Sequence, residues 1–289
     1  MIVLAACSAK HDASNAATAL FDELPLRPGL PPGISDLSLD DRGHIWAVAE
    51  RDHVVVELVL EGSPLAIKDV EHPLDGIPAG VDTEAIAWLG NNRFAIGTEG
   101  QDEATASVLF GELRADGHIV MTKTLPLTDK DVGLELVPNH GVEGLCGNGE
   151  DVIASIESVA TLPDGARYAP LVHLHGQTIT AVTRLRLTSN VGKISALFCT
   201  FAADGTAQVL AIERHYGVTR ILSFVLASDA KDATPTIAMD LWPIVRDRYH
   251  EQLNLEGIVR TRDGRWILVN DNQGKELEGA TRLFVFHPR

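Results

Sequence analysis

The chain has 289 residues, with 40 acidic side chains against 24 basic ones and a formal net charge of −16. That balance argues against nucleic acid as a partner, which needs clustered Lys and Arg to displace counterions, and favours a cation; an anionic substrate would need help from a metal or local Arg and His. No apolar run is long enough to span a bilayer, and 25 Gly residues with few helix-period segments point to a turn-rich, all-β chain.

At the start, Leu4-Ala5-Ala6-Cys7 fits a bacterial lipobox, with Cys7 as the lipidated residue. Neither a basic n-region nor a full apolar h-region precedes it. Residues 1–19 are therefore read as a signal remnant and polar tether, and residues 20–289 as a single domain. This places the protein in the bacterial cell envelope, facing the periplasm or exterior, with the lipid anchor as its sole membrane contact.

A strand over residues 20–26 comes first. Residues 33–51 then read as a hairpin that opens with Ser35 and closes with Glu50, and further strands follow over 53–60 and 65–70. The pattern returns in residues 81–100, from Glu84 to Glu99 across the turn Gly90-Asn91-Asn92, whose residue types suit tight hairpins. It returns again in residues 139–157 (Glu143, Glu157), 193–214 (Ser195, Glu213) and 254–274 (Glu256, Asp271). The opening residues lie 49, 59, 52 and 61 positions apart, a strand-bearing period that indicates a β-propeller. Five blades of four strands account for the chain, the strand over 20–26 completing the last blade and covering its open edge. A sixth, degenerate blade is the alternative. The one helix-like segment, 242–253, is expected as a loop helix above the mouth, and the protein is expected to be a monomer.

Antiparallel geometry brings the opening and closing residues of each hairpin to the same end. With the first strands innermost, Glu50, Glu84, Glu99, Glu143, Glu157, Glu213, Glu256 and Asp271 surround one axial mouth. So many like charges need a cation, salt bridges or raised pKa values. Calcium suits such a site because it accepts many oxygen ligands in flexible geometry, and all eight residues are candidate ligands. Glu143, Glu256 and Asp271 are also candidate catalytic groups. Arg51, His140, Arg214 and Asn272 are candidates to hold an anionic small-molecule substrate. His72, His118 and His173 are read as surface or packing residues, and Trp46, Trp88 and Trp266 as core. Cys146 and Cys199 lie in neighbouring first strands; a periplasmic setting allows a disulfide between them, but they are expected as buried free thiols, because strand cysteines rarely meet disulfide geometry.

The pieces Asp82-Thr83-Glu84-Ala85-Ile86, residues 139–145 (NHGVEGL), residues 254–258 (NLEGI) and Val269-Asn270-Asp271-Asn272 resemble the phytase-like β-propeller family of bacteria with esterase-like activity. More distantly, the chain is similar to five-bladed envelope propellers of the SdiA-regulated type. The first resemblance covers most of the chain and implies a calcium-dependent hydrolase of phosphate or carboxylate esters. The dense set of phosphate-contacting Lys and Arg of strict calcium-dependent phytases has no counterpart that can be placed here. The other function class is a non-catalytic, lipid-anchored envelope propeller that serves as a binding scaffold.

Overall fold

Short apolar runs broken by Gly, Asn and Asp turns fold into antiparallel strands throughout residues 21–272 and 280–287, the part of the chain that the computed structural model describes. The lipobox cysteine Cys7 and the whole of the tether, residues 1–19, lie outside these residues. In chain order, β1 (Phe21–Pro25) precedes β2 (Ile34–Leu39), β3 (Ile45–Ala49), β4 (Val54–Glu61) and β5 (Ala66–Asp75). Then come β6 (Val81–Trp88), β7 (Arg93–Gly100), β8 (Ala106–Leu113), β9 (Ile119–Leu127) and the one-turn helix α1 (Asp129–Val132). The next strands are β10 (Val142–Asn148), β11 (Asp151–Ile156), β12 (Ala160–Thr161), β13 (Arg167–His175) and β14 (Thr178–Arg186). They are followed by β15 (Lys193–Phe201), β16 (Ala207–His215), β17 (Val218–Leu226), β18 (Asp232–Ala233) and β19 (Thr236–Asp240). Helix α2 (Trp242–Tyr249), β20 (Asn254–Arg260), β21 (Trp266–Asp271) and β22 (Arg282–Phe286) end the described chain.

Consecutive strands pair antiparallel. Two four-stranded sheets have the orders β15-β16-β17-β19 and β1-β22-β21-β20, a third runs β10-β11-β13-β14-β18, and an eight-stranded one runs β2-β3-β4-β5-β9-β8-β7-β6. The last consists of two antiparallel meanders, joined where β5 and β9 meet in parallel at Leu74–Ile119 and Asp75–Val120. The N-terminal strand β1 lies antiparallel to β22, with Phe21 opposite Phe286, so the two ends of the described chain share one sheet. The first strands pack against one another in a cycle: β2 on β6, β6 on β10, β10 on β15, β15 on β20 and β20 on β2. This is a β-propeller-type architecture.

The core consists of apolar clusters between adjacent sheets. Trp46, fully buried, stacks on Trp88 with ring centroids 5.7 Å apart. Small residues let the first strands approach. A Cβ on Gly144 would stand 2.8 Å from the Leu197 backbone nitrogen, and one on Gly257 would stand 2.9 Å from that of Leu37. The inner-edge N–H groups of β6 need acceptors. Ser38 takes the one from Trp88 at 2.8 Å and Asp36 the one from Ile86 at 3.1 Å. Helix α2 packs against β17, and its Tyr249 hydroxyl donates to Glu23 of β1 at 2.7 Å, so it bridges the third strand of one sheet and the edge strand of the next. Among the described residues, no helix is long and apolar enough to cross a membrane.

The two cysteines correct the expectation of free thiols. Cys146 of β10 and Cys199 of β15 form a disulfide with Cα atoms 5.5 Å apart. The general rarity of such geometry between strands gives way here to the close approach at Gly144, which brings the two backbones within bonding range. The bond closes a loop across a sequence separation of 53. Loop entropy then predicts that Cys199→Ser lowers stability by about 4 kcal/mol. Urea unfolding of wild type, with and without reductant, measures this, and coincident curves would show that the bond contributes nothing.

Candidate functional site

Each first strand carries a β-bulge at one position relative to its partner. The register slips at Ser35 between Ile34 and Asp36, at Glu84 between Thr83 and Ala85, and at Glu143 between Val142 and Gly144. It slips likewise at Ser195 between Ile194 and Ala196, and at Glu256 between Leu255 and Gly257. These are the five opening residues of the sequence repeat. A bulge leaves its residue out of the ladder and redirects its side chain. In this way Glu84, Glu143 and Glu256 turn towards one another instead of alternating with their neighbours.

The ladder also defines the other positions of the mouth. Asp82 faces Glu99, Lys193 faces Arg214 and Asn254 faces Asp271. Glu50 and Glu157 take the equivalent place, since their N–H groups donate to the carbonyls of Gly33 at 2.8 Å and Gly141 at 3.0 Å. In the β15–β16 hairpin this closing position belongs to Arg214. Glu213 is one residue earlier, opposite Ile194, and pleat alternation sends its side chain to the other face. There its carboxylate accepts the backbone N–H of Thr188 at 3.1 Å and of Ser189 at 3.0 Å, together with both hydroxyls. Seven of the eight candidate ligands therefore share the mouth, and Glu213 closes a loop instead. Asp82 and Lys193 join the seven, although sequence reasoning did not single them out. The signal was their place at the head of the repeat copies, two residues before Glu84 and Ser195.

Charge is unevenly distributed. On one side, Lys193 pairs with Glu157, Arg214 with Glu256, and His140 Nδ1 lies 3.2 Å from Glu157. The Asn254 amide donates to Glu256 at 3.0 Å and to Asp271 at 3.2 Å. On the other side, oxygens of Glu50, Asp82 and Glu84 lie within 4.8 Å of one another. Arg51 reaches this group from the rim, 3.0 Å from Glu50 and 3.8 Å from Asp82, and its own side chain is largely exposed. Glu84 has no ion pair with a Lys or Arg of the described residues.

Burial raises the proton affinity of these acids, and neighbouring carboxylates add to it. Glu50 is pushed up to about 7 by burial, against Arg51 and with Asp271, Asp82 and Glu256 adding. Glu143 also rises to about 7 through burial, opposed chiefly by Lys193. Glu256 rises to about 8 through burial, opposed by Arg214 and supported by Asp271. Glu84 is raised well above the carboxylate range by burial and by Glu143, Glu99, Glu256 and Glu50. Glu99 rises through burial, despite accepting the Gly141 N–H at 3.1 Å. Burial and the adjacent Arg214 depress Lys193, while burial and Lys193 depress His140.

Two further residues frame the mouth. Asp36, next to the bulge at Ser35, is fully buried and accepts N–H groups from Leu37 at 2.8 Å, Ile86 at 3.1 Å and Leu145 at 3.5 Å. It therefore ties β2 to β6 and β10 from within, a role its sequence neighbourhood does not signal. Asn272 is buried, and its backbone N–H donates to the Pro32 carbonyl at 3.2 Å. Beside the cationic pair, a cavity of about 210 Å³ opens between the β15–β16 hairpin and α2, lined by Lys193, Arg214, His215, Thr219 and Trp242 among others. The arrangement can hold a hard cation on one side, an anion on the other, and exchange protons between them near neutral pH.

No curated protein matches the chain in sequence. Among solved structures, the major Malassezia sympodialis allergen Mala s 1 aligns with a TM-score of 0.50 at 8% identity, over 92% of this chain and 95% of that one. A mannose phosphorylase from Leishmania mexicana, in complex with phosphate ion, aligns with a TM-score of 0.49 at 12% identity, over 95% and 90% of the two chains. The PQQ-bound aldose sugar dehydrogenase from Streptomyces coelicolor aligns with a TM-score of 0.47 at 10% identity, over 92% and 98%. At such identities the likeness concerns the fold alone. In sequence, a family model described as phytase-like, esterase-like activity of phytase, matches residues 32–274, well over half of the chain, and the chain belongs to that family.

Proposed function

We propose that the protein is a hydrolase of phosphate or carboxylate esters that works on a small anionic substrate with calcium, at the mouth of a five-bladed propeller. The observation that carries this reading is the gathering of the buried carboxyls of Glu143 and Glu256, both of raised proton affinity, beside two partly buried cations from a single hairpin, Lys193 and Arg214. Perturbed acids beside a cleft are what acid–base chemistry near neutrality requires. Family membership supports the hydrolase class.

The Glu50, Asp82 and Glu84 oxygens are the residues that would hold calcium. They are hard oxygen donors, close together and short of positive charge, which fits that ion. Glu99, Glu143, Glu157, Glu256 and Asp271 would complete or adjust the site. When bound, calcium polarises a substrate oxygen and eases deprotonation of water. Lys193 and Arg214 would hold the anionic group of the substrate, with Arg51, His140 and Asn272 at its margins. Glu143 and Glu256, at about 7 and about 8, would accept or return the proton, and the charge of Asp271 keeps Glu256 basic. The lipobox at Cys7 supports a location in the bacterial envelope, tethered by lipid.

A second reading rests on the ion pairs themselves. Lys193–Glu157 and Arg214–Glu256 each join strands of adjacent sheets, as a purely structural ring would, in a non-catalytic envelope scaffold. Glu256→Gln separates the two. Hydrolysis should drop roughly 100-fold or more, as for loss of a general acid or base, with the melting temperature kept near wild type. A lower melting temperature with unchanged turnover of phosphate and carboxylate ester panels would sink the catalytic reading.

Stability should also depend on pH in a defined sense. Glu50, Glu143 and Glu256 have folded pKa values of about 7, 7 and 8 against an unfolded value of 4.5, so the folded state binds more protons between these limits. Their contribution is complete below pH 4.5 and is lost as pH rises through 7 to 8. Without divalent cations, the melting temperature should fall between pH 5 and pH 8.5. Millimolar calcium should restore it more at pH 8.5 than at pH 5, and Glu84→Gln should weaken that rescue. Scanning fluorimetry across this grid checks it; a calcium response independent of pH and of Glu84 would count against the cation site.

A further inference from the structure

A second cluster of metal-ligating side chains lies at the turn end of the β2–β3 hairpin, away from the carboxylate mouth. Oxygen and nitrogen atoms of Asp40, His44 and Glu57 lie within 4.8 Å of one another. The His44 Nδ1 is 2.6 Å from Glu57. Arg42 covers the group from the solvent side, 2.8 Å from Asp40 and 3.0 Å from Glu57, and its side chain is 58% exposed.

The independent observation is His72 of β5. Its side chain is buried, and its Nδ1 lies 2.8 Å from the Gly117 carbonyl, in the β8–β9 turn of the adjacent meander. A carbonyl only accepts, so Nδ1 carries the hydrogen and a neutral ring presents a lone pair at Nε2. That Nε2 is buried and makes no hydrogen bond. It is aimed at Glu57, 3.5 Å from the carboxylate. A lone pair facing an anion in a buried place is repulsive unless a positive charge lies between them.

We propose that Asp40, His44, Glu57 and His72 form a transition-metal site of zinc type. Two imidazoles and two carboxylates are a donor set that suits zinc better than calcium. Ligands at about 2.0–2.1 Å from zinc stand about 3.4 Å apart, and the 3.5 Å between His72 Nε2 and Glu57 matches one such edge; His72 lies outside the 4.8 Å group of Asp40, His44 and Glu57, so the ion would draw these four together. The outer contacts match as well. Ligating imidazoles commonly donate their other N–H to a carbonyl, as His72 does to Gly117. The Trp46 indole N–H donates to Asp40 at 3.2 Å and orients that carboxylate. Zinc would displace Arg42 and bind β2–β5 to the turn of the neighbouring meander through His72 and Gly117.

The test is titration of chelator-treated full chain with Zn2+ by calorimetry, and with Co2+ by visible absorption, both in millimolar calcium so that the mouth is saturated. One zinc per chain and a tetrahedral cobalt band are expected. His44→Ala and Glu57→Gln should each weaken binding about 10–100-fold or more, Arg42→Ala should tighten it, and Glu84→Gln should leave it unchanged. His44 is partly exposed, so its variant stays interpretable if His72→Asn fails to fold. Absence of binding, binding indifferent to His44 and Glu57, or binding removed by Glu84→Gln would overturn the proposal. So would a nitrogen NMR spectrum in which His72 carries protons on both ring nitrogens and does not respond to zinc.

Discussion

Five β-bulges lie at one level of the first strands, and the three at Glu84, Glu143 and Glu256 turn acidic side chains inward, where water cannot fully screen them; the rest of the mouth answers to that crowding. Regular strands would send alternate residues to alternate faces and leave Glu84, Glu143 and Glu256 inside separate sheet interfaces. The extra residue in each strand breaks the alternation at the place where five strands converge. Gly144 and Gly257 immediately after two of these bulges permit the approach, because a Cβ at either position would collide with the neighbouring backbone.

The mouth resolves its charge in two different ways. Where the β15–β16 hairpin supplies Lys193 and Arg214, Glu157 and Glu256 are paired, and the proton affinities of Glu143 and Glu256 settle near neutrality. Where β3 and β6 meet, the one cation paired with Glu50 and Asp82 among the described residues is the peripheral guanidinium of Arg51, and burial pushes Glu84 much further. An electrostatic gradient across one opening follows from this, negative on one flank and balanced on the other. Asp36 lies apart from this division, because its carboxylate is committed to backbone N–H groups of three strands.

The family relationship and the fold fit one physical picture. A cyclic packing of first strands leaves backbone groups along inner edges without ladder partners, and short polar side chains satisfy them. Ser38 accepts the Trp88 N–H, while the Thr83 and Ser195 hydroxyls donate to the carbonyls of Ala49 and Leu255. The positions left over at the strand ends are free for chemistry, which is why acids can gather there without loss of the closure.

The spacing of acidic residues, the alternation of apolar runs and the turn residues were legible in the chain itself, because strand pairing within a hairpin is local and each copy carries its own turn signals. Asn91 and Asn92, for instance, take the positive φ values of 54° and 62° that their residue types tolerate. Register was not legible to the last residue. Glu213 and Arg214 are adjacent acidic and basic side chains, and only the ladder opposite Ile194 and Lys193 decides which one enters the mouth. Nor could the chain announce that Asp36 locks it, or that Cys146 meets Cys199 across 53 positions. These depend on distances between strands from different copies, set by how closely neighbouring sheets pack, and a linear repeat carries no measure of that distance.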